Sequence, residues 1–334
     1  MNPEIETEIA TENTLSVCVY HRDADGCCAA AIVNRRYPGI SLIGLQYGET
    51  IPWDKLTGQN VVMVDFSFQP WTEMLRLMRE AKHLVWLDHH KTALEEARNY
   101  VQDKGVNTIN FEKRLRFLDT RMEVVLEDGR AGCELTWEYF FPGRLEPLIV
   151  HHIGRYDVWD HKEADTKYVR AGLLIRDIDP HAYWWQWVLA SEYFSDDHNP
   201  SFKSIVSDGM VIRKFQSAEW ERACKNIRIV QVNPQRCGWT GIGRDSGPIR
   251  IALLNARGNF DVFESLDPTS FDIGALFSWT GHHWSISLYT HTEDIDVGAF
   301  AKLHGGGGHR KAAGFQTPKL PDWLFPSALY DRKE

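Results

Sequence analysis

Five short stretches of the chain hold residue types able to do chemistry. The first is His21-Arg22-Asp23-Ala24-Asp25-Gly26, at the end of the apolar run TLSVCVY. Three potential ligands for a hard cation, at i, i+2 and i+4, can converge on one ion or two, because alternate residues of an extended segment face the same way. The same residues would also serve as a helix N-cap, with Asp23 or Asp25 accepting from the free amides of a following helix. The second is Asp65, directly after four apolar residues in VVMVDFSF. There it can point at the rim of a sheet, cap a loop or pair with a base. The third, Asp88-His89-His90, follows LVWL. Such a cluster at a strand end is costly unless it binds something, since each unpaired buried polar group costs about 1–3 kcal/mol.

The fourth is Asp157 in HHIGRYDVWD, with Asp160 as a near alternative and His151 and His152 readable as solvated or structural. The fifth is Gly305-Gly306-Gly307-Gly308-His309, followed by RKAAGF. Consecutive glycines let backbone amides approach an anion closely, and a histidine beside them can donate to phosphate. A flexible turn is the alternative, at a high cost in backbone entropy. Taken together, a mixed carboxylate and imidazole set with no thiolate required suits a pair of Mn2+ ions, and Mg2+ alone less well. Two such ions about 3.5–4 Å apart would share one carboxylate, activate a water and stabilise the entering and leaving oxygens at phosphorus. That is hydrolytic phosphoesterase chemistry.

Such residues need a scaffold that brings distant segments to one place. TLSVCVYH, ISLIGLQY, NVVMVDFS and HLVWLDHH are apolar runs ending in polar residues, and GCCAAAIVNRRY and WTEMLRLMREA between them have helical spacing. Near-continuous apolar strands separated by helices predict a parallel sheet covered on both faces, with ligands bound at the carboxyl ends of the strands. His21, Asp65 and Asp88 then share one rim. From about Ala131 to Glu192 the pattern is helical, SDDHNPS breaks it, and a long polar helix from Phe202 to Asn226 reads as a linker. RIVQVN, IRIALLNA, FDIGALFSW and WSISLYT beyond it are strand-like. The predicted division is therefore a metal-binding domain over 1–200, a linker helix over 201–226 and a smaller α/β domain over 227–334. The tails at 1–13 and 318–334 are expected to be loosely held.

Composition sets the outer limits. The 334 residues are 43% apolar and 25% charged, the balance of a globular protein of about two domains. No segment reaches the roughly 18 apolar residues of a spanning helix, and the acidic start is unlike a secretory signal, so a cytoplasmic protein is expected. Six cysteines without a CxxC pair read as reduced thiols. The many tryptophans, as in AYWWQWVLA, read as core packing. A net charge of −9 argues against a grip on long nucleic acid, which needs clustered Lys and Arg to neutralise many phosphates.

HRDADG, VVMVDFS, WLDHHKT and YDVWD, in this order and spacing, resemble the four motifs of the DHH phosphoesterases, and DVGAFAKLHGGGGHRKAAGF resembles the closing motif of their associated DHHA1 domain. The resemblance spans roughly residues 14 to 316. It implies a parallel-sheet α/β DHH domain with helices on both faces, a linker helix and a smaller α/β DHHA1 domain, with a cleft between the two domains. By motif position Asp65 matches the bridging ligand, His89 the metal ligand of the DHH motif, Asp157 the fourth-motif carboxylate, and His21 with Asp25 the first-motif ligands. The second metal site is completed by Asp23, as in RecJ-like versions, or by Cys27. Asp88 and His90 then orient the site or contact phosphate and join Asp65 as the catalytic set. Gly306, Gly307, Gly308 and His309 would hold substrate. Tyr289 stands where the family often has a substrate-binding arginine, which shifts that role to Arg257 or Arg310. The implied activity is Mn2+-dependent hydrolysis of short oligonucleotides or dinucleotides, with no long-DNA or membrane partner and with a homodimer as one option. Hydrolysis of cyclic dinucleotides or their linear products is the alternative, and a nucleotide-binding module without catalysis is another.

Overall fold

The computed structural model describes residues 15–104, 108–118, 120–190, 199–235, 239, 241–244 and 247–324, without the side chains of 104 and 108–111. The chain divides into two compact units, residues 1–213 and 214–334.

The first unit opens with β1 (Val17–His21), α1 (Ala24–Arg36), β2 (Ser41–Leu45), β3 (Asn60–Val64), α2 (Trp71–Glu80), β4 (His83–Asp88) and α3 (Lys91–Lys104). There follow β5 (Thr108–Phe111), β6 (Arg114–Leu118), β7 (Met122–Glu127), then α4 (Gly132–Phe140), α5 (Leu148–Asp157), α6 (Ala164–Gly172) and α7 (Trp184–Val188). The strands form one seven-stranded sheet in the order β2-β1-β3-β4-β7-β6-β5.

β2, β1, β3, β4 and β7 run parallel, and alternate residues explain why they read as continuous apolar runs. Cys18, Tyr20, Val62, Val64, Val85 and Leu87 face one core with α1, α4 and α5, while Val17, Val19, Val61, Met63, Leu84 and Trp86 face the other with α2 and α3. Both faces are buried, and each large apolar side chain so covered contributes about 1.5–3 kcal/mol. The sheet is not wholly parallel, however. β5, β6 and β7 pair antiparallel, because segments joined by short turns can only fold back on themselves. In β6, Leu115 and Phe117 are buried while Arg116 and Leu118 are exposed, the alternation of a sheet edge.

α8 (Pro200–Cys224) runs from the first unit into the second, over nearly the span expected for the long polar helix. The second unit continues with β8 (Arg228–Val232), β9 (Ile249–Asn255), β10 (Ile273–Trp279), β11 (Trp284–Thr290), α9 (Val297–Leu303), β12 (Gly307–Gly308) and β13 (Ala312–Thr317). Its six strands lie in the order β12-β13-β11-β10-β9-β8, all antiparallel except the β9–β10 pair.

The α/β expectation holds for both sheets. The C-terminal tail is better held than expected over its first residues: Trp323 and Leu324 are buried in the second core beside Trp239 and Phe300. The expected loose tails at 1–13 and 325–334, the polar break at 195–198 and Cys237 lie outside the described residues. The other five cysteines are free, four of them buried. Of the tryptophans in the AYWWQWVLA stretch, Trp185 is buried and stacks on Trp184, whereas Trp187 is 57% exposed. No helix among the described residues is long and apolar enough to cross a membrane.

Candidate metal centre

Strand register sets the site. Tyr20 on β1 pairs with Val64 on β3, and Val64 with Leu87 on β4. The next residue on each chain is His21, Asp65 and Asp88, so the three stand side by side across adjacent strands about 4.8 Å apart. Asp65 leaves the strand with φ +51°, the left-handed region, which costs a non-glycine residue of order 1 kcal/mol or more, although Asp tolerates it better than most. Gly132, at the start of α4, lies against it: a Cβ on Gly132 would fall 2.4 Å from the Asp65 Cβ. The turn and the missing side chain together tuck the Asp65 carboxylate inward, where it is 1% exposed.

Two groups of ligand atoms meet at this carboxylate. His21, Asp23 and Asp65 form one, each offering an atom within 4.8 Å of the others. His21 Nδ1 lies 2.9 Å from Asp23 Oδ2 and 3.9 Å from Asp65 Oδ2. On the other side, His89 Nε2 lies 3.1 Å from Asp65 Oδ1, 3.3 Å from Asp157 Oδ2 and 3.7 Å from Asp25 Oδ2. Asp25, His89 and Asp157 meet the same 4.8 Å criterion. Asp65 belongs to the first group through Oδ2 and reaches the second through Oδ1 and His89, and Asp65, Asp88, His89 and His90 form a further such group.

Several features fit this set to cations. Both Asp65 oxygens and Asp157 Oδ2 are buried without a hydrogen-bond partner. Burial, and after it the carboxylates of Asp25, Asp23 and Asp157, push Asp65 well above the usual carboxylate range. Asp157 is raised in the same direction by burial, Asp25 and Asp23. His89 is held below the ordinary histidine value by burial and by His90, which favours the neutral imidazole that a metal requires. Asp157 is also the last residue of α5, where the helix dipole disfavours a carboxylate. A divalent cation relieves all of these costs at once.

The neighbouring residues hold the ligands in place. Asp25 accepts from the amides of Gly132 (2.7 Å) and Cys133 (2.8 Å), the first two residues of α4, which orients it across more than a hundred residues of sequence. Asp23 caps α1, accepting from the Gly26 amide at 2.9 Å. The cap and ligand readings of this motif are therefore compatible. Burial works against ionisation of Asp23, but the hydrogen bond and charge of His21 outweigh it and bring the carboxyl to about 2.

Asp88 is fully buried and accepts from the amides of His89 and His90, from the Ser67 hydroxyl and from His90 Nδ1 at 2.7 Å. Burial disfavours a charged His90 ring, yet the Asp88 carboxylate raises it to about 9. Cys27 lies outside both ligand groups. Its thiol is buried and pushed up to about 12, chiefly by that burial and then by Asp23, so it stays protonated where a ligand must be a thiolate.

Other sequence candidates have partners of their own or belong to the second unit. Asp160 pairs with Lys162 at 3.2 Å and Arg155 at 3.8 Å. His151 pairs with Glu163 and Glu146, and His152 Nδ1 bonds Thr166 Oγ1 at 3.0 Å. Gly306, Gly307, Gly308, His309, Arg257 and Arg310 all belong to the second unit.

There the glycine run has a structural task. Gly305, with φ +77°, ends α9: its amide donates to Lys302 O at 3.1 Å and the Gly306 amide to Ala301 O at 2.9 Å, a Schellman closure. Gly307 and Gly308 then pair with β13, and a Cβ on Gly306 would fall 2.1 Å from Gly314 O. The amides of Gly305, Gly306 and His309 therefore already donate within the protein. Arg310 donates to Glu293 O at 2.5 Å and sits 3.6 Å from Asp296; Arg257 is exposed after β9. Tyr289 donates its hydroxyl to Gly258 O at 3.2 Å.

Sequence reasoning missed Gly132 and Ser67. AGCELTWEYFF carries no local sign that its first glycine will touch a carboxylate 67 positions earlier, and the serine two residues after Asp65 passes for an ordinary loop residue.

The chain is similar to several solved structures. No protein-family model matches the chain. The neighbours include RecJ, PggH and a DHH domain. RecJ of Thermus thermophilus, solved with Mn2+, is 13% identical with TM-score 0.45 over 94% of this chain and 51% of that one. The pGpG-specific phosphodiesterase PggH of Vibrio cholerae is 12% identical with TM-score 0.40 over 91% and 93%. The DHH domain of a member of a ribosomal protein family is 12% identical with TM-score 0.49 over 92% and 83%. In sequence, the chain is 28% identical over 113 residues to the uncharacterized protein R106 of Acanthamoeba polyphaga mimivirus. That match covers 34% of this chain and 22% of the relative's length.

Proposed function

We infer that this chain is a metal-dependent phosphodiesterase that hydrolyses short oligonucleotides, dinucleotides included, with a pair of Mn2+ ions. The observation that carries the reading is Asp65, a buried carboxylate with two unpartnered oxygens, each directed to a separate imidazole–carboxylate group. His21, Asp23 and Asp65 would hold one ion, and Asp25, Asp65, His89 and Asp157 the other. When bound, such a pair supplies an activated water and charge stabilisation at phosphorus. His90 donates its Nδ1–H to Asp88, and its charged ring would present Nε2–H to a phosphoryl oxygen. Asp88 keeps that ring in one orientation through one accepted hydrogen bond and is itself held by three others, from the His89 and His90 amides and the Ser67 hydroxyl. The side chains of His309, Arg257 and Arg310 are proposed to bind the anionic substrate, and the net charge of −9 favours a short one.

The test is product analysis after incubation with Mn2+, and separately with chelator, on a dinucleotide, longer RNA and DNA oligomers, cyclic dinucleotides and pyrophosphate. Rapid Mn2+-dependent loss of the dinucleotide, with longer chains slower, is expected. No hydrolysis of any substrate by metal-loaded protein would overturn the reading.

A further inference from the structure

A cavity of about 490 Å3 lies within the first unit, between the C-terminal ends of α1 and α4 and the antiparallel strands β6 and β7. That volume falls in the range of roughly 300–1,000 Å3 typical of sites for small molecules. No residue that lines it belongs to the ligand groups around Asp65 or to the proposed substrate set. Arg36, on its wall, stands at the far end of α1 from Asp25, roughly 16 Å along the helix axis at about 1.5 Å per residue.

Strand alternation supplies two of its guanidiniums. Leu115 and Phe117 of β6 are buried on one face of the sheet, so Arg114 and Arg116 project from the other, where Arg116 pairs across the strands with Val125 of β7. The charged groups on the wall are unequally committed. Glu138 accepts from Arg130 and lies 3.3 Å from Arg114, which is also 3.2 Å from Glu127. Glu123 accepts from the Tyr139 hydroxyl at 2.6 Å. Arg36 and Arg116, in contrast, have no carboxylate partner among the described residues. A helix end favours a nearby cation, which accounts for Arg36 in the last turn of α1 but not for Arg116 on a strand.

The rest of the wall is aromatic. Tyr37 and Phe140 meet edge to face with ring centroids 5.8 Å apart, and Tyr139 and Phe140 do so at 4.8 Å. The Arg36 guanidinium carbon sits 5.2 Å from the centroid of the Tyr37 ring. All three rings are partly buried, so the surface they form is held in place before any ligand arrives. Forked guanidinium donors match the oxygens of a phosphate, and aromatic faces match a flat nucleobase.

We propose that this cavity is a second binding site, for a nucleoside monophosphate: Arg36 and Arg116 take the phosphate, and the wall of Tyr37, Phe140 and Tyr139 takes the base. The site is separate from the metal centre, and the proposal does not depend on the reaction carried out there.

Isothermal titration of the full chain in chelator tests it, with AMP, GMP, CMP and UMP, the corresponding nucleosides and inorganic phosphate as probes. One nucleotide per chain should bind, and more tightly than its nucleoside or inorganic phosphate, each of which makes only part of the contacts. Arg36→Ala and Arg116→Ala each remove a charge-assisted fork and should weaken binding about 10- to 100-fold. Arg116→Lys keeps the charge without the fork and should recover part of that loss. Asp65→Asn should bind the nucleotide as the wild type does.

Absence of binding by all four nucleotides at millimolar concentration would overturn the assignment. So would an affinity that stays within twofold of wild type in both alanine variants, one that Asp65→Asn abolishes, or a nucleoside or inorganic phosphate that binds as tightly as the nucleotide. Both arginines are exposed, so their replacement leaves the core untouched. Thermal unfolding checks this, and Arg116→Lys carries the test if an alanine variant does not fold.

Discussion

Asp65→Asn should make the metal-free protein more stable while removing its response to metal. The wild-type carboxylate is 1% exposed, has no hydrogen-bond partner at either oxygen, and shares its surroundings with Asp23, Asp25 and Asp157. Exchanging it for an isosteric amide ends the repulsion with the neighbouring carboxylates and gives them an N–H donor, a gain of about 1–3 kcal/mol, the size of a hydrogen bond to a charged group. For a unit of some 200 residues each kcal/mol moves Tm by about 2–4 °C, so Tm in chelator should rise by roughly 2–12 °C. Metal acts unequally on the two proteins. Binding at a hundredfold excess over Kd stabilises by about 2.7 kcal/mol, or roughly 5–11 °C, in the wild type, and by much less once the shared carboxylate is gone. The assay is thermal unfolding of both proteins in chelator and in a Mn2+ series. A variant that is less stable than wild type in chelator and still gains the full Mn2+ shift would refute the reasoning.

Three further outcomes are expected. Gly132→Ala would drive a Cβ to 2.4 Å from the Asp65 Cβ and 2.9 Å from its Cα; the forced shift should destabilise the protein by about 1–3 kcal/mol and lower hydrolysis at least tenfold, read by denaturant unfolding and by turnover. Asp88→Asn places an amide donor among groups that already donate to that position, and should cost about 1–3 kcal/mol in urea unfolding and lower kcat more than it raises KM. In the second unit, Asp272 is buried; although burial opposes it, hydrogen bonds from Arg250 and Arg244 hold its carboxyl at about 2. A depressed carboxylate contributes stability that is present above pH 3.8 and lost as pH falls toward 2. Asp272→Asn should therefore flatten that acid limb by about 1–2 kcal/mol, seen as a smaller change in the unfolding midpoint between pH 4 and pH 2.

The parts of this molecule that were readable from sequence are those that local pattern determines. VCVYH, NVVMV and HLVWLD are continuous apolar runs because both faces of their sheet are covered, and a polar residue at the end of each run has only the rim to occupy. His21, Asp65 and Asp88 follow from that rule alone. The antiparallel edge was missed although RLRFL carries period-two alternation, since the segment lies between stronger helical signals.

What pattern could not supply is contact between distant segments. Nothing near Asp25 says that the amides of Gly132 and Cys133 will grip it, and nothing near Asp65 says that Gly132 will seat against it. The glycine run shows the converse. Its composition suggests an anion cradle or a loose turn, yet three amides from Gly305 to His309 are spent on closing α9 and turning into β13. A helix stop and a strand crossing at close approach need glycine as much as a phosphate does.

The central claim is that Asp65 is shared by two cations, and metal counting tests it most directly. Purified protein loaded with Mn2+, freed of excess ion and measured by elemental analysis against chain concentration, should hold two ions per chain. Asp65→Asn should hold one or none, and a crystal of the wild type should show two anomalous peaks flanking the Asp65 carboxylate, one beside His21 and one beside His89. A wild type that retains no ion, or an Asp65→Asn variant that still retains two, would contradict the account.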